Sequence, residues 1–144
     1  MPDKTIVDLS EAMRDIDFCL LTTIGERGGL RARPMSNNRE VDFTGDCFFF
    51  TCGDTRKVAD IERDPAVALG FQGKASLLGA PGIFISAEGR AELIRDKAAF
   101  AEHWVKDLDR WFEAGIDTPG LTLIKARAER IHYWDGADEG EIAL

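Results

Sequence analysis

The chain has 144 residues, 44% of them hydrophobic and 31% charged, a composition ordinary for a single globular domain spanning residues 1–144. Its formal net charge of −8 argues against general binding to nucleic acid or to an anionic membrane surface. No apolar run approaches the roughly 20 residues of a membrane span, and the first residues lack a signal-peptide pattern, so we expect a cytoplasmic protein.

Periodicity in the first half of the chain predicts one helix followed by three strands. Residues Thr5 to Arg14 form an amphipathic pattern with Ile6, Leu9 and Met13 on one face. The three β-prone runs are Phe18 to Ile24, Leu30 to Ser36 and Asp46 to Cys52, with a glycine-rich turn between the first two and a polar loop from Asn37 to Gly45.

The second half of the chain predicts two helices and three more strands. The elements in order are a helix from Asp54 or Thr55 to about Arg63, strands from Ala66 to Phe71 and from Ile83 to Ile94 with a bulge near Gly89, a helix from Asp96 to Phe112, and a strand from Leu121 to Trp134. The stripe of Phe100, Trp104, Leu108, Trp111 and Phe112 indicates a packing face. We expect the acidic segment from Asp135 onward to be loosely ordered.

Histidine and cysteine usage predicts no metal site. The two histidines are expected in ordinary roles, His103 on the solvent side of its helix and His132 in a hydrogen bond. The three cysteines, Cys19, Cys47 and Cys52, are odd in number and lie in or beside apolar strands, so we predict reduced, buried thiols.

The junction between the aromatic strand and the following helix is the most informative segment. If Asp54 or Thr55 caps the helix with a side-chain oxygen, Arg56 and Lys57 fall in its first turn, where the helix dipole disfavours cations. A phosphate in front of that turn would bind the free N–H groups and both side chains. The alternative is that Asp54 offsets the charge, Arg56 pairs with Asp60, and both cations are solvated.

A second basic feature precedes this junction. The window from Arg27 to Arg39 contains four arginines and no carboxylate, which suits a small anionic ligand, although a solvated hairpin is the simpler interpretation. Within it, Arg31, Arg33 and Met35 alternate onto one strand face. Pro34 lacks an N–H donor, which predicts a strand at a sheet edge, at a bulge or beside a ligand.

Six strands joined mainly by short turns, with helices at three places, predict a mainly β, α+β fold: an antiparallel split β-barrel with flanking helices. Four elements follow one another along the chain: Arg33-Pro34-Met35, Phe50-Thr51, Thr55-Arg56-Lys57 and Trp134. Their order and spacing resemble those of the pyridoxamine-phosphate-oxidase-like flavoproteins, and most of all their general-stress-protein branch. The resemblance covers roughly Asp17 to Gly136. It implies a split barrel that binds flavin mononucleotide (FMN) at a homodimer interface.

The resemblance also implies a role for each matching residue. Arg33, Arg56 and Lys57 match residues that bind the flavin phosphate, and Thr55 belongs to the same phosphate-binding turn. Phe50 and Thr51 match the strand end near the ribityl chain, Pro34 and Met35 the strand backbone beside the flavin, and Trp134 a tryptophan that packs near the ring from the partner subunit.

The sequence departs from the vitamin B6 oxidases of that superfamily in three places. In place of their arginine-histidine clamp for the substrate phosphate, this chain has an acidic tail that includes Asp138, Glu139 and Glu141. Phe84 or a neighbour replaces a glutamine of the long middle strand, and Asn38 replaces a lysine. We therefore expect an FMN-binding stress protein that does not oxidise pyridoxamine phosphate. The alternatives are an FMN-dependent oxidoreductase of another small molecule and, on the same barrel, a deazaflavin or haem binder.

Overall fold

In the computed structural model, which describes residues 3–38 and 42–144, one antiparallel sheet curls around the main hydrophobic core. The described residues form three α-helices, α1 (Ile6–Met13), α2 (Arg56–Arg63) and α3 (Lys97–His103), and seven strands: β1 (Phe18–Ile24), β2 (Leu30–Ser36), β3 (Asp46–Cys52), β4 (Ala66–Gln72), β5 (Phe84–Ile94), β6 (Leu121–Asp135) and β7 (Asp138–Ala143). No helix within these ranges is long and apolar enough to cross a membrane.

The sheet is open between two edge strands. Its order is β2-β1-β4-β5-β6-β3, with β7 added beside the second half of β6. All ladders are antiparallel, and alternate residues of β1, β3, β4, β5 and β6 enter a common core. The predicted fold class is confirmed, and β2, which carries Pro34, lies at an edge as predicted.

The sheet has one strand more than the six predicted, because the acidic tail is ordered as β7. Gly136 has a φ of 63°, which permits a two-residue turn between the paired residues Asp135 and Asp138. Ile142 then packs against the core, and Gly140 lies under the Tyr133 ring, where a Cβ atom would overlap the phenol group. The prediction of a loose tail was wrong, since acidic composition is compatible with a strand whose carboxylates stay exposed.

The predicted helix from Asp96 to Phe112 ends early, at His103. Trp104 and Val105 adopt extended backbone angles, and two short 3-10 helices, Lys106–Arg110 and Gly115–Asp117, follow. Where the helix ends, Trp104 packs edge-on against Phe50, with 4.9 Å between the ring centroids. Phe100, Trp104 and Phe112 form the predicted packing face, whereas Trp111 is exposed.

Candidate functional site

The opening between β2 and β3 contains a cavity of about 550 Å³, here called the seam cavity. Met35 lines it from β2, Phe48, Phe49 and Phe50 from β3, and the segment after β5 closes it with His103, Leu108 and Trp111. Its volume lies within the roughly 300–1,000 Å³ typical of small-molecule sites, and its walls combine aromatic and aliphatic side chains with polar ones that include Arg14, Asp15 and Asp107. The structure thus places Met35 and Phe50 in one ligand-sized space.

His103 faces the seam cavity and not the bulk solvent, contrary to the sequence prediction. Its ring stacks on Phe48 with 3.9 Å between centroids and 17° between planes. Neither ring nitrogen has a recorded hydrogen bond to any residue within 3–38 or 42–144. His103 is the last residue of α3, and its inward position depends on tertiary packing. Helical periodicity therefore did not reveal it.

A group of cations, here called the cationic cluster, comprises Arg33 on β2 and Arg56 and Lys57 at the start of α2. Lys57 is partly buried, and its pKa is lowered mainly by that burial and further by the charge of Arg33. Arg56 is exposed and forms no ion pair with any described residue. The pairing of Arg56 with Asp60, which belonged to the alternative interpretation of this segment, is not formed.

The start of α2 lacks the side-chain cap that was predicted. Thr55 occupies the N-cap position, but its hydroxyl donates to the carbonyl oxygen of Cys52 at 2.9 Å and caps no helical N–H. The first turn contains no acidic residue. Unpaired N–H groups, the positive end of the helix dipole and two cations therefore coincide, a combination suited to an anion.

Arg33 is held from inside the barrel. Its Nη1 atom donates to Leu21 O at 3.2 Å and to Thr23 Oγ1 at 2.8 Å, and its Nη2 atom lies 3.6 Å from Asp60. Burial lowers the pKa of Arg33, and the Asp60 charge opposes that shift. Arg33 therefore has a fixed position against β1 and the Asp60 carboxylate of α2.

Asp60 is the buried counter-ion of this region, and sequence analysis did not identify it as such. It is 1% exposed, accepts a hydrogen bond from Thr23 at 2.8 Å and lies within 4.0 Å of Arg31, Arg33 and Arg63. The arginine-rich window is thus partly neutralised from within the fold. Arg39, the last arginine of that window, lies outside the described residues. A window of arginines without a carboxylate was the available signal, since such a group requires a counter-ion from elsewhere in the chain.

Pro34 and Trp134 lie on the opposite face of the sheet from Arg33. They line a second space of about 550 Å³, here called the outer-face cavity, together with Phe18, Leu20 and Phe84. Trp134 stacks on His132 with 4.1 Å between centroids, and His132 Nε2 lies 2.7 Å from Glu139. Within one protomer, the structure does not bring Trp134 to the cationic cluster.

The remaining predicted residues occupy the end of β3. Thr51 is buried on the same strand face as Cys47 and Phe49. Cys52 ends the strand and is exposed, so the prediction that it is buried was wrong, because the alternation of β3 turns its side chain outward. Burial raises the pKa of the Cys19 thiol to about 12 and that of Cys47 further still, which keeps both of these thiols protonated.

An antiparallel sheet that curls around one core and stays open between two edge strands is the architecture of the split-barrel proteins. This chain belongs to the family described as "Pyridoxamine 5'-phosphate oxidase like", whose model matches residues 4–144. The resemblance stated from the sequence is thereby confirmed at the level of the family. None of the curated proteins matches the chain.

Several solved structures share this fold. A Clostridium acetobutylicum protein related to general stress protein 26 of B. subtilis has a TM-score of 0.81 and 19% identity, with 100% of this chain and 97% of that chain covered. A general stress family protein from Xanthomonas campestris pv. campestris has a TM-score of 0.77 and 25% identity over the same shares of both chains. A heme binding protein from Mycobacterium smegmatis shares the fold, with a TM-score of 0.75 and 13% identity over 99% of this chain and 60% of that chain.

Proposed function

We propose that this protein binds FMN in the seam cavity and acts as a general stress protein of its family. Arg33, Arg56, Lys57 and the N–H groups after Thr55 would hold the phosphate, Thr51 would lie near the ribityl chain, and Met35 and Phe50 would flank the ring. The observation that carries the proposal is a cationic cluster at an uncapped helix start, in a chain whose Met35 and Phe50 line a ligand-sized cavity. FMN bound there would supply electron transfer, and the protein would orient it and exclude water.

The terminal position of the phosphate in FMN distinguishes it from the dinucleotide. Three cationic side chains and an uncapped helix start make up the cationic cluster, which matches a terminal phosphate with up to two negative charges. A dinucleotide would need room for a further nucleotide beyond that cluster. We therefore expect FMN to bind more tightly than flavin adenine dinucleotide.

We propose in addition a homodimer that covers the outer-face cavity. Phe18, Leu20, Phe84 and Trp134 are exposed there as one apolar surface, which is unusual for a surface that faces solvent permanently. A second copy packed on this face would remove these four side chains from water.

The acidic strand β7 disfavours oxidation of pyridoxamine phosphate. Glu139 and Glu141 both face His132, at 2.7 and 3.7 Å from its ring nitrogens, so this region carries negative charge and no clamp for a second phosphate. The same contacts engage His132, the strand-borne histidine, which argues against its use as an axial haem ligand.

An oxidoreductase acting on a small molecule without a phosphate remains the alternative, and turnover of reduced flavin with candidate acceptors separates it from a non-catalytic stress protein.

The test is a titration of the purified protein with FMN, flavin adenine dinucleotide and riboflavin, followed by flavin fluorescence. The double variant Arg56→Gln/Lys57→Gln should lose at least about 100-fold in FMN affinity, since each charged hydrogen bond contributes roughly 1.5–3 kcal/mol. Riboflavin, which lacks the phosphate, should bind the variant and the wild type alike.

The matched control is Arg95→Gln/Arg127→Gln, which changes net charge equally at exposed residues whose ion-pair partners are Glu62 and Asp46. It should bind FMN like the wild type. Equal FMN affinity in both double variants would show that the cationic cluster does not hold the phosphate. Tighter binding of the dinucleotide would contradict the preference for FMN.

A further inference from the structure

The interior partners of Arg33 leave part of its guanidinium available to a ligand. A guanidinium has five N–H donors, of which two belong to Nη1, and these point to Leu21 O and Thr23 Oγ1. The Nη2 atom lies 3.6 Å from Asp60 Oδ2, beyond hydrogen-bond distance, and the side chain forms no other hydrogen bond to the described residues, so the donors on Nη2 and Nε are the ones that a phosphate could use. The orientation of those donors is therefore set by contacts on the interior side.

Thr23 connects Arg33 to Asp60 through a single hydroxyl. Thr23 Oγ1 accepts from Arg33 Nη1 at 2.8 Å and donates to Asp60 Oδ2 at 2.8 Å. Thr23 is fully buried and Asp60 is 1% exposed, so both lie in a low-dielectric region where such contacts are strong. The result is a chain from the seam to α2, in which each polar group has a partner.

Asp60 also links the two elements that form the cationic cluster. It belongs to α2, four residues after Arg56 and three after Lys57, whereas Arg33 belongs to β2. Strands β2 and β1 pair directly, and α2 contacts β1, so the Arg33–Thr23–Asp60 chain fixes the start of the helix relative to the edge strand.

We propose that Asp60, acting through Thr23, is a positioning residue that orients Arg33 for phosphate binding. This inference rests on the proposed function, and it assigns to a buried carboxylate a role in anion binding that its own charge would oppose. Without the carboxylate, Arg31, Arg33 and Arg63 would lose their shared counter-ion and repel one another, and Arg33 would leave the position set by Leu21 O and Thr23. Phosphate binding would then weaken despite the gain in positive charge.

The sign of the effect distinguishes positioning from simple electrostatics. If Asp60 acted only as a nearby negative charge, Asp60→Asn would bind FMN more tightly than the wild type. If Asp60 positions Arg33, the same variant should bind FMN about tenfold more weakly, the scale of one charged hydrogen bond. Riboflavin affinity should not change in either case, so the ratio of the riboflavin to the FMN dissociation constant is the quantity to measure.

Because Asp60→Asn alters a buried network and could fail to fold, the same ratio is measured for Thr23→Val and Thr23→Ser. Thr23→Val keeps the shape but removes the hydroxyl, and we expect it to lower the ratio about tenfold. Thr23→Ser keeps the hydroxyl and should restore the wild-type ratio, which separates positioning from a general loss of stability.

The outcomes separate this inference from the proposed function. A wild-type protein that does not prefer FMN over riboflavin would overturn both. A wild-type preference that persists in Thr23→Val within a factor of about two, or tighter FMN binding by Asp60→Asn, would overturn the positioning role alone.

Discussion

Lys57 shows how a single residue can report ligand binding through its protonation. Its pKa in the free protein is lowered by burial and by Arg33, so part of the population loses the proton at a lower pH than an exposed lysine would. A bound phosphate would favour the charged amine and raise that pKa again. Binding of FMN is therefore coupled to the proton on Lys57.

The direction of the pH dependence follows from this coupling. FMN affinity should be constant below the lowered pKa of free Lys57 and should fall as pH rises through it, because the ligand favours the protonated form. The measurement is the riboflavin to FMN dissociation-constant ratio from neutral pH to about pH 10, the range in which a lysine with a lowered pKa titrates. Using the ratio cancels ionisation of the flavin ring, which both ligands share.

Lys57→Arg is the control for this pH effect, since a guanidinium stays protonated across that range. Its ratio should remain flat where the wild-type ratio falls. A wild-type ratio that does not change with pH would mean that Lys57 does not contact the phosphate.

At the scale of elements, the bend in the long β5–β6 ladder depends on Gly89. The register shifts between Glu88 and Gly89, so that Glu129 of β6 has no partner on β5. A Cβ atom at Gly89 would overlap the carbonyl oxygen of Arg127. The missing side chain therefore allows two backbones to approach where the sheet curls, as expected for a bulge.

Gly89→Ala should destabilise the protein by about 1–3 kcal/mol, the usual range for forcing extra atoms into a packed site. Unfolding in urea measures this, provided that the slope of free energy against denaturant stays the same. Gly70→Ala is the matched control, because a Cβ atom there would lie 3.9 Å from Leu20 Cβ, an ordinary contact. If the two variants were equally stable, the bulge would not require glycine.

At the scale of the whole molecule, the outer-face cavity determines whether two chains associate. Leu20 lies at the centre of this face, paired with Pro34 on one side and Gly70 on the other, and is 53% exposed. Leu20→Glu should convert the proposed dimer to a monomer, because a buried carboxylate without a partner is costly. Light scattering at micromolar concentration measures the mass.

Val7→Glu is the control for this substitution. Val7 is also a largely exposed apolar residue, at 62%, but it lies on α1 and does not line the outer-face cavity. This variant should keep the wild-type mass. A wild-type protein with the mass of one chain while FMN is bound would contradict the homodimer.

Sequence patterns predicted the strands well because each strand alternates between the core and the opposite face. The bounds of β1, β2 and β3 agree with the predicted runs, and the Gly89 bulge lies where the alternation fails. The grouping of Arg33 with the cations at the start of α2 was expected only from the family resemblance. Periodicity failed for the helix after β5, because the helix ends before Trp104, which packs against Phe50.

The amino-acid sequence by itself determined the fold class, the edge strand with Pro34, and the residue types of the cationic cluster, since these depend on local periodicity and composition. Only the tertiary structure decided that Asp60 and Thr23 hold Arg33, that His103 faces the seam cavity, and that Pro34 and Trp134 lie on the other side of the sheet. These features depend on contacts between residues distant in the chain. Such contacts form when the sheet curls, brings β2, β3 and the segment after β5 around one opening and places α2 against β1, and no local pattern encodes that arrangement.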